Sequence, residues 1–141
     1  MAGIRTRARG QALQMLYALD VSGGAEPDPT LADTRENFGL QVEAEGDAFA
    51  ESIVDNAREH QAEIDDELQS ASRNWRLERM STVDRNILRL AAAELMYDAS
   101  VPTKVVINEA IELAKRFGTT ESPAFVNGIL DRVAAKVREQ K

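Results

Sequence analysis

Apolar residues recur along this chain at intervals of three and four, and no stretch alternates apolar with polar residues as a half-buried strand would. The first such run spans about Ile4 to Val21, with Ile4, Ala8, Ala12, Met15, Leu16 and Leu19 on one face. Ser22-Gly23-Gly24 ends it, and Pro27 and Pro29 keep the connection extended. A short helix is expected around Leu31–Phe38. A longer one is expected around Asp47–Ser72, with a broken stripe of Phe49, Ile53, Val54, Ala57, Ile64 and Leu68 and an acidic face suited to solvent. A boundary falls near Ser70–Arg73, and Trp75 opens a new segment. Ser81, with an acid three residues on at Asp84, reads as the N-cap of a helix that packs through Ile87, Leu88, Leu90, Ala91 and Leu95.

Two further helices follow. One runs over 102–117 with Val106, Ala110, Leu113, Ala114 and Phe117 as its stripe, and Gly118 suits a left-handed position after its end. The other takes Ser122 as N-cap and Pro123 in its first turn, and packs through Val126, Ile129, Leu130, Val133 and Val137. The pattern predicts a compact all-α bundle of six or seven helices, a single domain over residues 1–141.

Composition narrows the function. The chain has no cysteine, which excludes a disulfide framework and thiol catalysis and fits a reducing cytosol. No apolar run approaches the roughly 18 residues of a membrane span, so the expected location is cytoplasmic, away from membranes. The one histidine, His60, lies in a charged helical region and is expected to be exposed. No Cys/His ligand set, phosphate-cradling glycine loop or Ser/His/Asp arrangement appears, so neither an enzyme, a metal site nor a cofactor is expected. The net charge of −7 conceals an uneven distribution. Residues 1–19 hold Arg5, Arg7 and Arg9 and no acid, whereas residues 20–72 hold most of the acids against Arg35 and Arg58 alone. Such asymmetry points to an electrostatic partner at the basic ends.

Arginine takes phosphates bidentately and stacks on bases, and unpaired bases also stack on aromatic rings. Arg5 and Arg9 share a helix face while Arg7 points away from them, and Tyr17 adds an amphipathic ring to the same helix. Phe125, at the edge of the last apolar stripe, reads as a stacking platform, a packing residue, or both. Asn108, Glu109, Asn127 and Gly128 exceed what a generic helix pair needs. Glycine inside a helix costs about 1 kcal/mol against alanine. These four are expected to fix the last two helices together, Gly128 by letting a neighbour approach closely.

The segment Val105-Val106-Ile107-Asn108-Glu109-Ala110-Ile111-Glu112-Leu113-Ala114-Lys115-Arg116-Phe117-Gly118, followed by Phe125-Val126-Asn127-Gly128-Ile129-Leu130-Asp131, closely resembles the C-terminal signature of the bacterial transcription antitermination factor NusB family. Arg7-Ala8-Arg9 with Leu16-Tyr17 and Asp20 is similar to the family's first helix, and Val83 to Leu95 matches a third block. The resemblance covers about residues 4–20 and 80–132. It implies two packed three-helix subdomains, about 1–72 and 73–141. It also implies binding of single-stranded boxA RNA in ribosomal RNA transcripts, together with the small-subunit ribosomal protein NusE. Other Nus factors would link that complex to elongating RNA polymerase. By the same resemblance Arg5, Arg7, Arg9, Tyr17, Glu121 and Phe125 fall at RNA-binding positions and Asp84 at the protein contact. Homodimerisation is a further possibility, and the alternative reading is a self-associating helical module without specific RNA binding.

Overall fold

A computed structural model describes residues 3–22 and 44–138. The helix expected around Leu31–Phe38 and the prolines before it lie outside those residues. The described residues form six α-helices: α1 (Ile4–Val21), α2 (Ala44–Glu59), α3 (Gln61–Ala71), α4 (Thr82–Tyr97), α5 (Thr103–Phe117) and α6 (Ser122–Val137), with a 3-10 turn at Leu77–Arg79. No strand occurs among the described residues.

The architecture is organised around α4, which packs against each of the other five described helices. Its sequence dictates that position. Ile87, Leu88, Leu90, Ala91, Ala92, Ala93 and Leu95 cover most of its circumference, and the polar groups among them, Arg89 and Glu94, are paired with neighbouring helices, so nearly the whole helix can be buried. Burial of Ile87, Leu88 and Leu90 stabilises the fold by about 1.5–3 kcal/mol each. The consecutive alanines keep α4 thin enough for several helices to surround it. α1 packs on α2 and α4, α5 pairs with α6, and α3 reaches both α4 and α6. Ser81 caps α4 as expected, its Oγ accepting from the Asp84 N–H at 3.1 Å.

Four local expectations are corrected. The helix expected over Asp47–Ser72 is two helices, broken at His60, whose backbone leaves helical geometry (φ −113°, ψ 25°). His60 is half-buried rather than exposed: its ring stacks on Tyr97 at 4.0 Å and 15°, tying the break to the end of α4. Gly118 is extended (φ −98°, ψ −162°), not left-handed. Its requirement is steric, because a Cβ there would lie 2.6 Å from Ser122 Cβ and 2.9 Å from the Ala114 carbonyl. Ser122 begins α6 without capping it; its Oγ turns back to accept the Thr119 N–H at 2.9 Å.

Polar groups fasten the helices at both ends of α4. At its C-terminus Arg138 donates to four carbonyls: Leu95 at 2.9 Å, Val101 at 2.7 Å, Glu94 at 3.1 Å and Asp98 at 3.0 Å. A cation there satisfies orphan carbonyls and complements the helix dipole. Toward its N-terminus, Asp20 of α1 accepts from Arg85 at 2.9 Å, Asn86 at 2.9 Å and Arg89 at 3.2 Å. Arg89 also forks onto Asp65 of α3 at 2.9 and 3.0 Å. Burial alone would raise the Asp20 carboxyl pKa. Hydrogen bonds from Arg85 and Asn86, with the charges of Arg85 and Arg89, outweigh burial and hold it below its ordinary value.

Removing Arg138 leaves the Leu95 and Val101 carbonyls short of a donor, while those of Glu94 and Asp98 keep a backbone N–H. Arg138→Ala is expected to lower stability by about 2–3 kcal/mol in urea unfolding, with Arg138→Lys recovering only part. A carboxylate whose pKa is lower folded than unfolded stabilises above the unfolded value, and that contribution disappears as pH falls through the folded value. Asp20→Asn should therefore reduce the unfolding midpoint at neutral pH. The difference from wild type should shrink below about pH 3.9, the ordinary carboxylate value, and vanish below the lower folded one.

Candidate nucleic-acid interface

α1 and α4 run antiparallel, since Arg9 of α1 meets Glu94 while Asp20 of α1 meets Arg85. The arginine-bearing start of α1 thus lies at the C-terminal end of α4. Arg5 is exposed and sits over the Phe49 ring at 4.4 Å, a cation–π contact that orients its guanidinium. Arg7 is half-buried. Tyr17 is 39% exposed, one turn before Asp20.

Arg9 has a different role from the one expected. Its side chain is buried, and Nε and Nη2 each donate to Glu94 at 2.8 Å. Glu109 of α5 stands 3.8 Å from Nη1, and Phe49 covers the guanidinium at 5.0 Å. Arg9 is therefore an internal link between α1, α4 and α5 rather than a group presented to a ligand. The physical reason is Glu94, a carboxylate that the apolar surround of α4 buries and that only a charge-assisted fork can satisfy.

The opposite end of α4 gathers a second set. Asp84, Glu121 and Phe125 line one small cavity of about 180 Å³, together with Trp75 and Arg79. Asp84 is half-buried, and its Oδ1 has no hydrogen-bond partner. Glu121 is exposed in the loop before α6. Phe125 is half-buried against the core and meets Trp75 edge to face, centroids 6.4 Å apart at 89°, so it both packs and borders the surface. About ten residues of α4 separate the Asp84 level from that of Glu94, and Arg5 lies a turn beyond. At 1.5 Å per residue the two sets are about 20 Å apart along the bundle.

Trp75 is a surface feature that sequence reasoning passed over. Its loop is held by Gln69, which donates to the Ser72 and Trp75 carbonyls at 3.3 and 2.8 Å and accepts the Leu77 N–H at 3.0 Å. A lone tryptophan between Arg73 and Arg76 was the available signal. Asn108, Glu109, Asn127 and Gly128 do not form the expected inter-helix cluster. Asn108 and Asn127 are exposed and make no side-chain hydrogen bond among the described residues. Glu109 faces Arg9 instead, and a Cβ on Gly128 would meet nothing within 4 Å. Both asparagines lie on outward faces, because the apolar stripes of α5 and α6 already supply the contact between these helices.

Among the described residues no cluster of His, Cys, Asp and Glu is arranged to hold a metal ion, and no helix is long and apolar enough to cross a membrane. What stands out is a helical scaffold with Arg5 presented at one end and the Trp75–Phe125 pair bordering the surface at the other, the form of a helical binding protein. Comparison with known proteins makes this specific. Residues 6–135 match the model of the NusB family. The chain is 48% identical over 132 residues to the transcription antitermination protein NusB of Sorangium cellulosum, covering 94% of this chain and 92% of that protein. It is 48% identical over 139 residues to that of Trichlorobacter lovleyi, covering 99% and 96%. A structure of T. maritima NusB superposes with a TM-score of 0.83 at 34% identity, covering 99% of this chain and 97% of that one. A crystal structure of the antitermination factors NusB and NusE in complex with dsRNA matches with a TM-score of 0.84 at 28% identity, covering 96% and 99%. The chain belongs to the NusB family, and so is a transcription antitermination protein rather than an enzyme.

Because Arg9 and Glu94 are both buried, removing either leaves an unpaired charge. Arg9→Ala is expected to cost about 3–5 kcal/mol in chemical unfolding, whereas Arg9→Met with Glu94→Leu should restore much of it.

Proposed function

We propose that this protein binds single-stranded boxA RNA of ribosomal RNA transcripts jointly with the ribosomal protein NusE, and that the complex joins elongating RNA polymerase through other Nus factors to suppress termination. It does so in the cytoplasm. The observation that carries the reading is the pairing of presented arginine with presented aromatic rings on a scaffold that matches, over nearly its whole length, a NusB–NusE complex with RNA. That neighbour was crystallised with double-stranded RNA. The rings here favour an unpaired strand, since stacking needs bases that are free of a duplex.

Arg5 and Arg7 hold phosphates at one end, and Phe125 takes a base at the other. Tyr17 borders the path between, and Glu121 flanks Phe125 at its end. Arg9 supports the arginine end from inside and does not touch the strand. A span of about 20 Å suits an extended strand of several nucleotides, within the roughly 4–16 typical of single-strand binding sites. Asp84, with an unpaired carboxylate oxygen in a cavity beside Glu121, faces the basic ribosomal protein.

The test is a salt titration of binding to boxA RNA and to a scrambled sequence, with and without NusE. Tighter, sequence-selective binding is expected with NusE present. Arg5→Ala with Arg7→Ala should weaken it and flatten the log–log salt dependence by about 0.7 for each phosphate no longer neutralised. Binding indifferent to sequence under all conditions would sink the reading.

A further inference from the structure

Beside the Trp75–Phe125 pair lies a second, larger cavity of about 470 Å³, and its charge is of one sign. Arg73 and Arg132 line it with Asn74, Trp75, Phe125 and Gly128, and no carboxylate does so among the described residues. Arg132 is fixed there by donating Nε to the Ala71 carbonyl at 2.6 Å, a bond that does not use its two terminal NH₂ groups. Trp75 is 56% exposed, and its perpendicular contact with Phe125 leaves at least one indole face unstacked. Gly128 has open space where a Cβ would point, so the packing of this chain does not require glycine at that helix position.

We propose that this cavity is a nucleotide subsite. One unpaired base of the bound RNA stacks on Trp75, beside Phe125 and above Gly128, while Arg73 and Arg132 hold its flanking phosphates. The proposal rests on the RNA-binding reading and extends it to residues that reading does not use. Each part has its chemistry. A tryptophan face accepts any base, and two guanidiniums with no carboxylate between them suit a phosphate rather than a basic peptide. The Asn74 amide offers both a donor and an acceptor to a base edge. Absence of a side chain at Gly128 leaves room for the base over the helix backbone.

Trp75 is the single tryptophan of the chain, so its fluorescence reports on the cavity directly. The experiment uses the full chain with NusE and end-labelled boxA RNA, following RNA anisotropy and Trp75 emission against NusE lacking tryptophan. Stacking predicts quenching of Trp75 as RNA is added. Trp75→Ala should weaken affinity about five- to hundredfold, and Trp75→Phe should retain most of it. Gly128→Leu, which fills the cavity from a helical position, should weaken RNA binding without lowering the thermal midpoint. Anisotropy showing Arg5-dependent binding, with Trp75 emission unmoved and Trp75→Ala and Gly128→Leu as tight as wild type, would overturn the subsite and leave the RNA reading intact. Emission that responds fully to NusE alone and no further to RNA would assign the cavity to the protein partner and overturn it too. No RNA binding at all would remove both readings together.

Discussion

Glu94 is a carboxylate in the most apolar part of the molecule, and the chain must bring a fixed cation to it. The cation is Arg9, 85 residues away in sequence, and its bidentate fork sets where α1 lies along α4. A buried fork tolerates little sliding, because a shift of one turn would strand both charges. Register at the other end follows from the same docking, with Asp20 delivered to Arg85, Asn86 and Arg89. Phe49 of α2 lies under both Arg5 and Arg9, so α2 is seated by the same arginine face. One helix made apolar for packing thus acquires its directionality from a few charged groups.

This arrangement also separates two tasks that the arginine-rich opening of the sequence seems to combine. Arg5 is presented outward and Arg9 inward, one turn apart on a shared face, and the Phe49 ring contacts both. Arg9, which the sequence groups with Arg5 and Arg7, is a structural element. Its neighbour is held in place by that structure. Preorganisation of this kind lowers the entropic cost when a long side chain engages a phosphate.

Much of the fold was legible because apolar periodicity reports burial directly. The stripes over α1, α4, α5 and α6 appear where the spacing put them. The break at His60 was hidden because every residue from Asp47 to Ser72 tolerates a helix, and the stack on Tyr97 comes from another part of the chain. Gly118 was located correctly but for the wrong reason, since a sequence does not distinguish a positive φ from a missing Cβ. The fate of Arg9 depended on a partner 85 positions on. Asn108 and Asn127 invited an inter-helix bond that their outward placement prevents. Trp75 was passed over because its surroundings, not its spacing, give it meaning: Gln69 and Ser72 build the loop, and α6 brings Phe125 and Arg132 beside it.

The acidic middle of the chain has a consequence of its own once folded. Glu51, Asp55, Glu59, Glu63 and Asp66 all reach solvent from α2 and α3, giving those two helices a negative face. A polyanion diffusing past is repelled from that face and meets attraction only elsewhere, so the molecule filters the direction of encounter before any contact forms. At physiological salt the screening length is about 8 Å, which confines this steering to the last nanometre of approach. Within that distance the negative face limits unselective clinging to nucleic acid and leaves discrimination to the few side chains that touch it.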